Sequence, residues 1–262
     1  MIGVTGFFAL CVGLSHALTS DEVASFGTTG EKEQNTGLIG WVKIFSSGSS
    51  WIIQSNGIPD HDTHDWPWNG ENPNSIQEQN YNFNVPMYPS IASQPSCLPA
   101  GPIGVATNGL VIFNPWTAEA LNAVEGETAE TFDMCDGHPD QQGNYHYHKQ
   151  PSSCLFSVTP GTPSPMVGVA FDGFAIYGPV DEYGNTLTTA DLDECNGRVN
   201  SNGVYQYHTT TDFPYMLGCY KGTPSSSAGN NMCYFASDAD DDGNIGGGGG
   251  GPRPPHPPPG RR

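Results

Sequence analysis

Apolar residues in this chain come in short runs broken by Gly, Pro, Asn and Asp, and almost nowhere at helical spacing. Residues 38–46 and 50–55, rich in Trp, Val and Ile on either side of Gly48, read as two strands. Residues 81–85 alternate aromatic or apolar side chains with Asn, the pattern of an edge strand. Two further stretches, 104–115 and 168–179, place apolar runs on both sides of Asn108-Gly109 and Asp172-Gly173. These dipeptides favour two-residue type I′ turns, so each stretch is expected to be a β-hairpin. Most of residues 56–102 carries turn chemistry. Only 117–124, after Asn114-Pro115 and before Gly126, has the look of a helix. The expectation is a mainly β, loop-rich single domain.

The two hairpin stretches belong to a longer repeat. Gly104-Val-Ala-Thr-Asn-Gly-Leu-Val-Ile-Phe-Asn-Pro115 matches Gly168-Val-Ala-Phe-Asp-Gly-Phe-Ala-Ile-Tyr-Gly-Pro179. Phe132-Asp133-x-Cys135 then matches Leu192-Asp193-x-Cys195, and each cysteine loop ends in Tyr-x-Tyr-His. Residues 104–154 and 168–219 therefore read as two copies of one unit: hairpin, connector, cysteine loop and Tyr-x-Tyr-His strand. Related β units commonly bury their apolar faces against each other, which suggests a pseudo-twofold arrangement.

Charge narrows the partners. The 262 residues include 8 Lys and Arg against 27 Asp and Glu, a formal charge of −19. Such a chain lacks the basic footprint that nucleic acids and anionic membranes require, and it attracts cations. Met1 to Ala17 has the features of a secretory signal, with an apolar run too short to span a bilayer and a Ser15-His16-Ala17 cleavage site. No later stretch is long enough to span a membrane. The mature chain is expected to be extracellular, opening with a flexible segment over 18–36 and a β domain over 37–236.

Removal of the signal takes Cys11 and leaves Cys97, Cys135, Cys154, Cys195, Cys219 and Cys233. An even set in an oxidising compartment reads as three disulfides, whose connectivity spacing alone leaves open. If each copy closes on itself, Cys135 pairs with Cys154 and Cys195 with Cys219, and Cys97–Cys233 fastens the ends.

From about residue 237 apolar residues fade into six glycines and a proline-rich end, expected to be a disordered acidic tail over 237–262. Ahead of the glycines, Asp238, Asp240 and Asp242 resemble the front of a calcium loop. The twelfth place of that loop is Gly249 rather than an acid, and no helix can leave through polyglycine. A solvated acidic patch is the expectation there, with calcium disfavoured.

The histidines carry the chemistry. In a strand alternate side chains share a face, so His146 and His148 project together and Tyr145 and Tyr147 project oppositely. His138, in the preceding Gly- and Pro-turned loop, supplies a third imidazole. The second copy has Arg198 in place of His138 and Gln206 in place of His146, and keeps only His208 at the place of His148. That contrast points to a transition-metal site, copper or zinc, built on the first copy. His208, if the strands meet near the pseudo-axis, and His61 and His64 of the loop Pro59-Asp-His-Asp-Thr-His-Asp65 are additional candidate ligands.

The segments Asn56-Gly-Ile-Pro-Asp-His61, Cys135-x-Gly-His138-Pro, Gly143-x-Tyr145-His-Tyr-His148 and Asp172-Gly-Phe-x-Ile-Tyr-Gly-Pro179 together resemble the YHYH domain family over roughly residues 50–220. The resemblance implies an exported protein and marks His138, His146 and His148; it implies no reaction.

Three functions fit these residues. A secreted metal-binding protein needs a filled coordination shell. A metal-dependent enzyme, a zinc hydrolase or copper oxidase, needs an open position and a base, for which Asp60, Asp62 and Asp65 are available. A metal-free, disulfide-stapled interaction module needs neither. No His-Glu-x-x-His or Gly-x-Ser-x-Gly pattern singles out a catalytic residue.

Overall fold

The structure, a computed structural model, describes residues 18–151, 154–225 and 233–245. The expected signal peptide and everything from Gly246 onward lie outside these residues. After a short capped helix, α1 (Ser20–Ala24), the chain builds an antiparallel three-stranded sheet from β1 (Val42–Ser47), β2 (Ser50–Ser55) and β3 (Tyr81–Pro86). β3 pairs with β2 alone in this sheet, as the alternation of aromatic residues with Asn predicts for an edge. The next strand, β4 (Ile91–Ser96), leads into the main body.

That body is an eight-stranded sheet. The first set of strands is β5 (Pro102–Ala106), β6 (Val111–Phe113), β7 (Gly137–Pro139) and β8 (Tyr145–Tyr147). The second is β9 (Met166–Ala170), β10 (Ala175–Tyr177), β11 (Gly197–Val199) and β12 (Tyr205–His208). The spatial order is β11-β12-β10-β9-β5-β6-β8-β7, so each set forms half of the sheet with the same pairing pattern. The halves meet where β5 runs antiparallel to β9, with Val105 opposite Val169. A last strand, β13 (Tyr220–Gly222), pairs with β4. β5 and β9 are almost wholly buried, which is why they read as continuous apolar runs rather than as alternating ones.

Both hairpins form, but with a different turn from the one the dipeptides suggest. Ala106 N–H donates to Leu110 and Gly109 N–H donates back to Ala106, closing a three-residue loop; Ala170, Gly173 and Phe174 repeat it. Only the glycines, at φ +86° and +97°, enter the left-handed region. A type I′ turn needs the preceding residue there too. Instead the Asn108 and Asp172 side chains accept from the backbone N–H two residues on, at Leu110 and Phe174, which holds them in a right-handed turn.

The segment 117–124 is not a helix. Thr117 N–H donates to Leu121, Ala120 takes φ 63°, and Trp116 bridges Asn122. The Asn122 carboxamide caps the N–H groups of Val124 and Glu125, the kind of local competition that disfavours a helix interior.

Both ends of the domain extend further than the sequence suggests. Residues 18–36, expected to be flexible, are anchored by Glu33, whose buried carboxylate accepts from Asn35, Thr36 and Thr63. Residues 237–245, expected in the disordered tail, dock on the 116–122 turn through Trp116 Nε1–H to Gly243 and Ile245 N–H to Ala120. Asp240 there accepts from the N–H groups of Asp242 and Asn244 and serves as a turn cap. Asp238, Asp240 and Asp242 do not converge as a ligand group among the described residues.

The disulfides are Cys97–Cys233, Cys135–Cys154 and Cys195–Cys219. Among the described residues no helix is long and apolar enough to cross a membrane.

Candidate metal centre

Each cysteine loop is built around a carboxylate. Asp133 accepts from the N–H groups of Cys135 and Gly137 and from the hydroxyl of Tyr145, and Asp193 repeats all three contacts with Cys195, Gly197 and Tyr205. The glycine is obligatory: a Cβ at Gly137 would lie 2.4 Å from the Tyr145 ring, and one at Gly197 2.1 Å from the Tyr205 hydroxyl. The shared Cys, Gly and Tyr residues are therefore the framework. They fold a tight two-stranded ladder in which β7 lies antiparallel to β8.

That ladder sets His138 directly opposite His146. Their Nε2 atoms lie 3.0 Å apart, and His146 Nε2 is also 3.0 Å from His148 Nε2. A fourth group joins them. Glu130, in the connector before the cysteine loop, brings Oε2 to 3.1 Å from Nε2 of both His138 and His148. The four ligand atoms lie within 4.8 Å of one another, and the three imidazoles are buried. Phe113 stacks on His146 at 3.9 Å, and Phe132 packs against His138 at 4.8 Å, which fixes the rings.

The hydrogen bonds behind the rings decide where the protons are. His146 Nδ1 faces the carbonyl of Asn144 at 3.0 Å, and His148 Nδ1 faces that of Asn114 at 2.5 Å. A carbonyl only accepts, so both Nδ1 atoms carry the proton and both Nε2 atoms present lone pairs. Two lone pairs at 3.0 Å, with a carboxylate oxygen beside one of them, call for a proton or a metal ion between them. Oε2 of Glu130 is itself buried with no hydrogen bond of ordinary geometry. Burial, reinforced by the neighbouring imidazoles, pushes His146 well below the usual histidine range, and burial likewise lowers His138. The donor set, three imidazoles and one carboxylate with backbone partners orienting two of the rings, suits a transition-metal ion.

The second copy resolves the same contact differently. His208 Nδ1 faces the Gly178 carbonyl at 2.8 Å, but its Nε2 meets the Gln206 carboxamide at 2.9 Å. Asn200 donates to the Gln206 oxygen, turning the amide N–H toward the imidazole. Arg198, at the place of His138, pairs with Glu182. A carboxamide closes the network there, where the first copy has a third imidazole and a carboxylate.

The remaining histidines stand apart. His208 lies on β12, and the four strands β10, β9, β5 and β6 separate β12 from β8, so it does not join the centre. Tertiary strand order, invisible in local sequence, decides this. His61 receives the Tyr147 hydroxyl at Nε2, 2.8 Å away, on the face of β8 opposite the centre. It also neighbours Cys135 and Cys154, whose sulfurs are bonded to each other and offer no thiolate. His64 stacks on Trp68 at 3.7 Å and packs edge-on to Trp66. Of the aspartates in that loop, Asp60 accepts from Thr29 N–H and from the Asn108 carboxamide.

Glu130 is the candidate ligand that the histidine pattern misses. With the cysteines aligned it stands where the second copy has Ala190, so the contrast that marks His138 and His146 marks it too.

The family model for the YHYH protein family matches residues 82–185 and 180–222, and the chain belongs to that family. No curated protein and no solved structure matches the chain.

Proposed function

We propose that the protein binds one transition-metal ion, zinc or copper, through His138, His146, His148 and Glu130. The observation that carries this reading is the convergence of three buried imidazoles and one carboxylate, whose four ligand atoms lie within 4.8 Å of one another. Burial and aromatic packing on a disulfide-bonded ladder pre-organise the group, so little ordering is needed when an ion enters. His61, His64 and His208 belong to other contacts and are not ligands in this reading. The three disulfides and the signal-like start support an extracellular setting, where the net negative charge favours cation capture.

Titration of metal-free protein with zinc and with copper against a competing chelator tests the proposal. One ion per chain, with loss of uptake in His146→Ala, is the expected outcome. Uptake that is unchanged in His146→Ala but abolished in His208→Ala would place the ion elsewhere.

A further inference from the structure

The four candidate ligands form the floor of a cleft of about 570 Å³ rather than a closed box. Its walls carry Glu71, Asp140, Gln141, Gln142, Thr117 and Thr131, together with Phe113 and Trp116. None of the described residues lining it is a lysine or arginine. The second copy differs at two positions of the corresponding wall. Tyr177, at the place of Phe113, bonds through its hydroxyl to Glu22 of α1. A Cβ at Gly178, the place of Asn114, would lie 2.7 Å from Ser164 and 3.0 Å from Phe156, whereas Asn114 itself lines the open cleft. At the place of Asn114 the second copy is thus tightly packed, where the first copy faces the cleft.

We infer that the metal centre keeps an exchangeable coordination position facing this cleft, and that the cleft admits an uncharged, hydroxyl-bearing ligand rather than an anion. The inference rests on the metal-binding reading above. Charge supplies the selectivity: a divalent ion on three neutral imidazoles is outweighed by the carboxylates of Glu130, Glu71 and Asp140. A phosphate, sulfate or carboxylate entering the cleft meets net negative charge without a lysine or arginine partner, whereas recognition of these anions normally relies on such partners. Carboxamides and threonine hydroxyls both donate and accept, which matches the two-way hydrogen bonding of hydroxyl groups. A cleft of this volume is within the range that encloses a small organic ligand.

The test uses full-length protein loaded with cobalt(II), whose visible spectrum reports its coordination. Imidazole, cellobiose, acetate and inorganic phosphate are titrated separately, with metal content measured alongside. Imidazole and cellobiose should each change the spectrum, while phosphate and acetate should need concentrations at least about tenfold higher. Glu71→Lys, on the exposed rim, should bring the phosphate response down toward that of the neutral ligands. Bound cobalt that ignores imidazole would show a closed shell and overturn the exchangeable position. A response to imidazole but none to cellobiose would overturn the hydroxyl-bearing class. Tighter binding of phosphate than of the neutral ligands, or identical phosphate responses in the wild type and Glu71→Lys, would overturn the charge filter. Failure to take up any metal would defeat the metal-binding reading itself, and this inference with it.

Discussion

His138 and His146 face each other across the β7–β8 ladder with their Nε2 atoms 3.0 Å apart, while the same positions in the second copy hold Arg198 and Gln206. One backbone framework thus supports two side-chain sets, one with the imidazoles of His138 and His146 and one with Arg198 and Gln206 in their places. Transplanting the second set into the first tests the difference. His138→Arg with His146→Gln should abolish metal uptake while the protein stays folded, checked by chelator competition and circular dichroism. Retained uptake would mean that these imidazoles are not ligands.

In the proposed centre Glu130 supplies the anionic ligand atom. Glu130→Gln keeps its size but removes the charge, and metal affinity should fall by about tenfold or more, measured by competition titration. The free-energy change is on the order of 1.4 kcal/mol for each factor of ten. Unchanged affinity would place Glu130 outside the coordination shell.

His61 and Tyr147 form a hydrogen bond on the reverse face of β8. Tyr147→Phe should cost stability, about 1 kcal/mol by denaturant unfolding, and leave the stoichiometry of metal binding at one. A loss of binding larger than that cost would tie the tyrosine to the centre.

Asp172 is fully buried, and burial pushes its carboxyl up to about 6 despite the hydroxyl of Tyr207 and the N–H groups of Gly222 and Phe174. Its folded value lies above its unfolded one. The linked contribution is therefore fully present below about pH 4, and is lost as pH rises through about 6. Asp172→Asn, which installs the residue found at Asn108 in the first copy, should flatten that part of the pH–stability profile. An unchanged profile would mean that the carboxylate is ionised in the fold at no cost.

How much of this is legible in the sequence depends on whether a contact is local. The hairpins, the framework Cys, Gly and Tyr residues and the shared face of His146 and His148 follow from turn chemistry and strand alternation acting over a few residues. The disulfide pairs follow once each copy closes on itself. Glu130 is harder to see, because a carboxylate in an acidic connector is one of 27 acidic residues, and only its alignment with Ala190 distinguishes it. The fates of His61, His64 and His208 are set by long-range packing, in which Tyr147, Trp68 and the strand order intervene. The 117–124 turn looks helical by its flanks, but Asn122 caps the turn locally and the chain at Gly243 and Ile245 completes it. That partner segment lies in a stretch whose composition suggests disorder.

The most direct test of the central claim is the metal content of the protein purified from a secretory host without chelator, measured by mass spectrometry beside His146→Ala, His148→Ala. The account predicts close to one zinc or copper per chain in the wild type and a large loss in the variant. Wild-type protein that emerges folded and metal-free, and that takes up neither ion when it is added, would contradict it.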